Sequence, residues 1–168
     1  GVEFGDRFQL ASLLEGMSKS LQPVDAGPLA PGLKGGSAQE VRSPSDPTKI
    51  VGSVRFADPK DVDAAVGTAL QGFRKWVRTD ADSRAAALER AADLLEDRRD
   101  RFMALLSAEA GKTLDDGIAE IREAVDFLRY YALEARRLFT EPTELPGPTG
   151  EHNYLKLAGR GVFATISP

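Results

Sequence analysis

Few side chains in this sequence could carry chemistry. Its 168 residues include no cysteine and one histidine, His152. Thiol nucleophiles, disulfides and cysteine-held metals are therefore absent from the chain. A histidine-based zinc site or a Ser-His-Asp triad would have to be built on His152 alone. His152 stands beside Pro146, Gly147, Pro148 and Gly150, and reads as a solvated loop residue rather than a ligand. Gly111-Lys112-Thr113 has the ending of a phosphate-binding loop, but that pattern needs a glycine where Leu106 stands and a strand where a long helix ends. A helix C-cap, with a lysine at the carbonyl end of the dipole, accounts for it. One stripe is left: Glu120, Glu123, Phe127, Tyr130 and Glu134, at helical spacings. It reads either as a solvated acidic face or as a carboxylate flanked by aromatics in a pocket for a cationic ligand. Arg122, Arg129, Arg136 and Arg137 beside it read as members of weak surface ion pairs.

The elements that must position this stripe follow from patterning. Residues 22–48 are dense in turn formers (Pro23, Gly27, Pro28, Pro31, Gly32, Gly35, Gly36, Pro44), as an extended arm would be. Before the arm, Phe8, Leu10, Leu13, Leu14 and Met17 suggest a short amphipathic helix. After it, Val41, a Pro-Ser-Asp-Pro turn and Ile50–Phe56 suggest two strands of a hairpin. Three helices are then expected. The first is capped by Asp58-Pro59, with a stripe of Val62, Val66, Ala69, Leu70, Phe73 and Val77. In it, Phe73 and Trp76 read as core. The second starts at Thr79 with Asp82 as a capping-box partner, and runs unbroken through Leu88, Leu95, Phe102 and Leu105 to Gly111. The third starts at Thr113 with Asp116, carries Ile118, Ile121, Val125, Leu128, Ala132, Ala135 and Phe139, and stops before Pro142. Tyr154–Leu157 alternates like a half-exposed strand, and Val162–Ile166 reads as a strand buried on both faces of a parallel sheet.

Composition bounds the function class. A net charge of −4, from 22 basic and 26 acidic side chains, argues against a nucleic-acid surface. No apolar run approaches the roughly 18 residues of a membrane span, and no secretory leader pattern is visible. A chain without cysteine has a cytoplasmic setting as its default expectation.

Taken as long strings, EAGKT, AEIREAVDFLRYYA, LPGPTGE and GRGVFATISP resemble the aldehyde dehydrogenase superfamily. The likeness is closest to its L-glutamate γ-semialdehyde (1-pyrroline-5-carboxylate) dehydrogenase branch, as joined to a proline dehydrogenase in bifunctional proline utilization A. The opening residues through Leu14 and the Ser43–Val54 hairpin fit as well, so the resemblance covers essentially the whole sequence.

The resemblance implies an α/β fold: the helical N-terminal part of a Rossmann-like domain plus a β-hairpin of the oligomerisation sheet, cut after the first core strand. In these terms residues 1–38 form a helix and linker arm, 39–57 the hairpin and 58–141 the three-helix part of the NAD-binding domain. Residues 142–161 form a loop and strand of the oligomerisation sheet, and 162–168 the first core strand. The implied activity is NAD-dependent oxidation of glutamate semialdehyde to glutamate in proline catabolism, through a cysteine thiolate lying beyond this segment. Alone, the segment is then expected to be inactive. Glu123 matches the helix position facing the aldehyde channel, with Phe127 a neighbour in the same wall. Ile166, Ser167 and Pro168 match the segment bordering the NAD site. A homo-oligomer is implied, and FAD would belong only to a preceding proline dehydrogenase domain. The competing expectation is a free-standing, non-catalytic helical interaction module derived from the same fold.

Overall fold

A computed structural model describes residues 2–166. Its elements are α1 (Arg7–Ser20), β1 (Val24–Ala26), β2 (Gln39–Arg42), β3 (Ile50–Val54), α2 (Pro59–Trp76), α3 (Ala81–Asp97), α4 (Arg99–Ala110), α5 (Leu114–Phe139), β4 (Thr143–Leu145) and β5 (Asn153–Leu155). The core is helical: α3 lies along α5, and α4 joins them to α1. Leu13, Ala92, Met103, Ile121 and Val125 meet at its centre. Ala85, Ala92 and Ala132 are fully buried, so α3 and α5 approach closely over small side chains. Gly117 does the same between α5 and α4, since a Cβ there would stand 3.0 Å from the Met103 sulfur.

Helix starts follow cap chemistry. Asp58 accepts from the Asp61 amide while Asp61 accepts from the Asp58 amide, a reciprocal capping box with Pro59 inside it. Thr113 caps α5 through the Asp116 amide at 3.2 Å. Gly111 closes α4 in the left-handed region at φ 66°, so Gly-Lys-Thr is the joint between two helices.

The expected second helix is corrected in two respects. Its cap is Asp80, which accepts from the Ser83 amide at 2.7 Å, and not Thr79. It also breaks at Arg98, at φ −106° and ψ 17°, into α3 and α4. The run Glu96-Asp97-Arg98-Arg99-Asp100-Arg101 has no apolar side chain to hold a continuous helix. The break lets α3 follow α5 while α4 follows α1.

The Asp80 cap has an acid-dependent consequence. Hydrogen bonds from the Ser83 amide, and then from its hydroxyl, hold the Asp80 carboxyl below its usual 3.8. A carboxylate depressed on folding stabilises the fold above its unfolded value and loses that contribution as pH falls through the folded one. Amide exchange at Ser83 is therefore expected to quicken relative to mid-helix amides as pH drops below 3.8. Unchanged relative protection there would remove the cap's role.

The hairpin at 39–54 is present. β2 and β3 pair antiparallel with Val41 opposite Gly52, and the register shifts between Val41 and Arg42. The linker arm is not wholly free: β1 adds to the other edge of β3 as a parallel strand, with Val24 opposite Gly52. Pro23 and Gly27 on either side hide so short a strand from patterning. The 142–161 segment folds into a second hairpin, β4 antiparallel to β5, with Leu145 opposite Asn153.

Two expectations of burial are corrected. No residue of α2 is buried. Val62, Val66 and Leu70 on its stripe are about half exposed, as is Trp76, because no described element packs along that face. Its ends are touched, by the Gly35 amide donating to Asp61 at 3.1 Å and by Gly159 against Phe73 and Val77. Val162–Ile166 forms no strand, and Phe163 is 72% and Ile166 94% exposed. A strand buried on both faces needs parallel neighbours, and no described strand lies beside this one. Among the described residues, no helix is long and apolar enough to cross a membrane.

Candidate functional site

The stripe singled out in the sequence lies on α5, whose opposite face is fastened to α3. Apolar contact is made through Gly117, Ile121, Val125 and Ala132. Charge does the rest. Arg136 reaches Glu89 at 2.6 and 2.9 Å and Asp82 at 2.9 Å, while Arg129 bonds Glu96 and approaches Asp93 at 3.5 Å. The Arg136 guanidinium holds the Glu89 carboxyl below its usual range, and is itself held more firmly protonated by Glu89 and then Asp82.

With the inner face committed, the outer face of α5 forms an open groove of about 500 Å³ lined by Ala119, Arg122, Glu123, Asp126, Phe127 and Tyr130. Glu123 and Phe127, the two residues assigned to a substrate wall, thus line one space. The rings along it are ordered against each other. Phe127 stacks on Tyr131 at 6.0 Å, and Tyr130 meets Tyr131 edge-on at 5.2 Å.

The structure separates the three glutamates of the stripe. Glu120 is taken by Lys112. Glu134 is taken by Arg137 at 2.7 Å, whose hydrogen bonds lower its pKa. Glu123 makes no ion pair or side-chain hydrogen bond among the described residues, and stays available to a ligand. Sequence reasoning missed Asp126 and Ala119 and placed Arg122 in a surface pair. Their spacing from Glu123 (three on, four back) was the signal for the first two. For Arg122 the expected ion pair is absent among the described residues, whereas Arg129, Arg136 and Arg137 each have one.

The remaining candidates lie elsewhere. His152 is exposed on the β4–β5 hairpin, 3.3 Å from Glu144. Ile166 does not line the groove, and Ser167 and Pro168 fall outside the described residues. No cluster of three metal-ligating side chains occurs among the described residues.

Comparison with known proteins gives the chain's family. The bifunctional protein PutA of Escherichia coli strain K12 is 40% identical over 160 residues, a match covering 88% of this chain and 11% of that protein. The 1-pyrroline-5-carboxylate dehydrogenase of Geobacillus kaustophilus is 38% identical over 128 residues, covering 75% of this chain and 24% of that one. A solved variant of proline utilization A from Bradyrhizobium japonicum superposes with a TM-score of 0.71 at 43% identity, over 96% of this chain and 13% of its own. The chain thus spans between about a tenth and a quarter of the length of these relatives. The aldehyde dehydrogenase family profile matches residues 33–168. The chain belongs to the aldehyde dehydrogenase family.

Proposed function

We propose that this chain forms one wall of the aldehyde channel in an NAD-dependent dehydrogenase that oxidises L-glutamate γ-semialdehyde to glutamate during proline catabolism. The observation that carries the reading is the groove on α5, where Glu123 is a carboxylate unclaimed by any described neighbour and is flanked by Phe127 and Tyr130. A substrate with an α-ammonium and an apolar methylene chain suits it. The ammonium meets the carboxylate in a charge-assisted bond, and the methylenes lie on the Phe127 ring. The names of the relatives, PutA and 1-pyrroline-5-carboxylate dehydrogenase, point to the same substrate.

Within that reaction the chain binds and orients. It has no thiol, so the nucleophile that adds to the aldehyde is assigned to the remainder of the domain. The family uses NAD(P), which accepts the hydride when bound. Of the residues assigned to the nucleotide site only Ile166 is described, and an exposed apolar side chain has no group that selects a dinucleotide. What these residues do is fix the substrate's charged end beside an ordered aromatic surface, which lowers the entropic cost of attack. The β4–β5 hairpin, with Leu145, Tyr154 and Leu155 exposed, suits the proposed role in a homo-oligomer.

The test is kinetic and uses the complete enzyme. Glu123→Ala is expected to raise KM for glutamate semialdehyde by the equivalent of about 1.5–3 kcal/mol. An uncharged aldehyde of similar length should change little. Equal effects on both would mean that Glu123 does not read the ammonium.

A further inference from the structure

Residues 27–35 form a loop whose two ends are pinned to adjacent residues just after β3. The Ala26 carbonyl accepts from the Arg55 amide at 2.9 Å, and the Gly36 amide donates to the Phe56 carbonyl at 2.9 Å. Ends brought this close give the loop the form of an Ω-loop. A third tie reaches a different element. The Gly35 amide donates to Asp61 Oδ2 at 3.1 Å, across 26 residues of sequence. The same oxygen accepts from the Asp58 amide at 3.3 Å, while Asp58 Oδ1 accepts from the Asp61 amide at 2.9 Å. One carboxylate oxygen thus serves two amides, one in the loop and one at the start of α2. Gly35 is suited to its place, with φ at 69° and room for no side chain: a Cβ would stand 2.9 Å from the Arg55 Cβ and 3.0 Å from the Pro28 Cδ. The positive end of the α2 dipole favours a carboxylate where Asp61 stands.

We propose that Asp61 is the clasp of a strap, so that the 27–35 loop and the first turn of α2 open and close as one unit. When Gly35 lets go, Asp61 loses one of the donors that orient it, and the reciprocal cap with Asp58 loosens. When the cap opens first, Asp61 turns away and Gly35 loses its acceptor. The first turn matters because it ends at Val62, whose amide donates to the Asp58 carbonyl at 3.1 Å and whose side chain begins the exposed apolar stripe of α2. With the strap shut, Val62 stands in line with Val66 and Leu70. With it open, that turn frays and the stripe shortens at its N-terminal end. Small units of this kind open locally, well below the free energy of global unfolding.

The experiment follows hydrogen exchange in the complete enzyme, by mass spectrometry of short overlapping peptides. It compares Gly35 and Gly36 in the loop with Asp58, Asp61 and Val62 in the first turn, and takes Ile121 and Val125 of α5 as the reference. The side chain of Asp58 makes no hydrogen bond to the loop among the described residues. Asp58→Ala is nevertheless expected to quicken exchange at Gly35 and Gly36 about fivefold or more over the reference. Gly35→Ala, acting from the loop side, should quicken the first turn by a similar factor. Asp61→Ala should quicken both regions further, and Asp61→Asn, which keeps an acceptor oxygen without the charge, should fall between. If Asp58→Ala quickens only the first turn and Gly35→Ala only the loop, the two contacts are independent and the strap is overturned. Equal quickening at Ile121 and Val125 would make the opening global, and would overturn it as well.

Discussion

Replacing Leu13 with alanine is expected to lower the unfolding free energy by about 2–5 kcal/mol. Leu13 is 1% exposed and, with Met103, is one of the two largest fully buried side chains described. It belongs to the buried cluster with Ala92, Met103, Ile121 and Val125, so its loss opens a void where α1 meets the core. Gly16 lies close against α4, where a Cβ would fall 2.0 Å from an Asp100 carboxylate oxygen, so α1 can settle inward only as that side chain turns aside. Urea unfolding reads the result, with Leu14→Ala as the control, because Leu14 is 47% exposed on the same helix and should change little. Equal losses at the two positions would mean that α1 is not part of the core. The comparison has a further use: α1 precedes residue 33, where the family profile begins, yet it supplies a central core side chain.

Gly52→Val should destabilise by about 3 kcal/mol or more, against the usual preference of strands for valine. Gly52 is buried in β3 and pairs with Val24 on one side and Val41 on the other. A Cβ at this position would stand 2.0 Å from the Val24 carbonyl oxygen and 2.9 Å from its amide nitrogen. Those are backbone atoms, which cannot rotate aside as a side chain would. β1 must therefore leave the sheet or β3 must bend. The expected signature is loss of amide protection across Val24–Ala26 together with the fall in stability. Retained protection there would show that the sheet absorbs the extra volume.

Much of this structure is legible in the sequence, for local reasons. Asp58-Pro59, Thr113 with Asp116, and Gly111 act within a few residues of themselves, and α2, α4 and α5 begin or end where that chemistry says. The inner stripe of α5 is legible because its period matches the helix. The break at Arg98 was not legible, since helix propensity runs through it and only the divergent partners of α3 and α4 demand it. β1 was hidden because its pairing partner lies 28 residues away at Gly52. The exposed α2 stripe and the absent strand at 162–166 show the reverse case, where apolar pattern predicts burial and no described element supplies the cover. At the groove, the stripe that holds Glu123 and Phe127 was readable from spacing, and the family resemblance singled out those two. Glu120 and Glu134 could be set aside, and Arg122 and Asp126 added, only once ion pairs were visible.

The ion pairs between α3 and α5 individually contribute little stability at such exposure. Their spacing has another effect. Asp82, Glu89 and Glu96 recur every seven residues on α3, and Arg129 and Arg136 do so on α5, so the pairs meet in one alignment of the two helices. Sliding α5 by a single turn would move Glu123 about 5.4 Å along its axis and unbalance the paired carboxylates of Arg129 and Arg136 together. Displacements of even about 1 Å at a binding group can cost on the order of a hundredfold in rate. On the proposed reading of Glu123, the ladder works as a vernier scale for the groove: a charge swapped at Glu89 or Glu96 would be felt as a carboxylate standing in the wrong place.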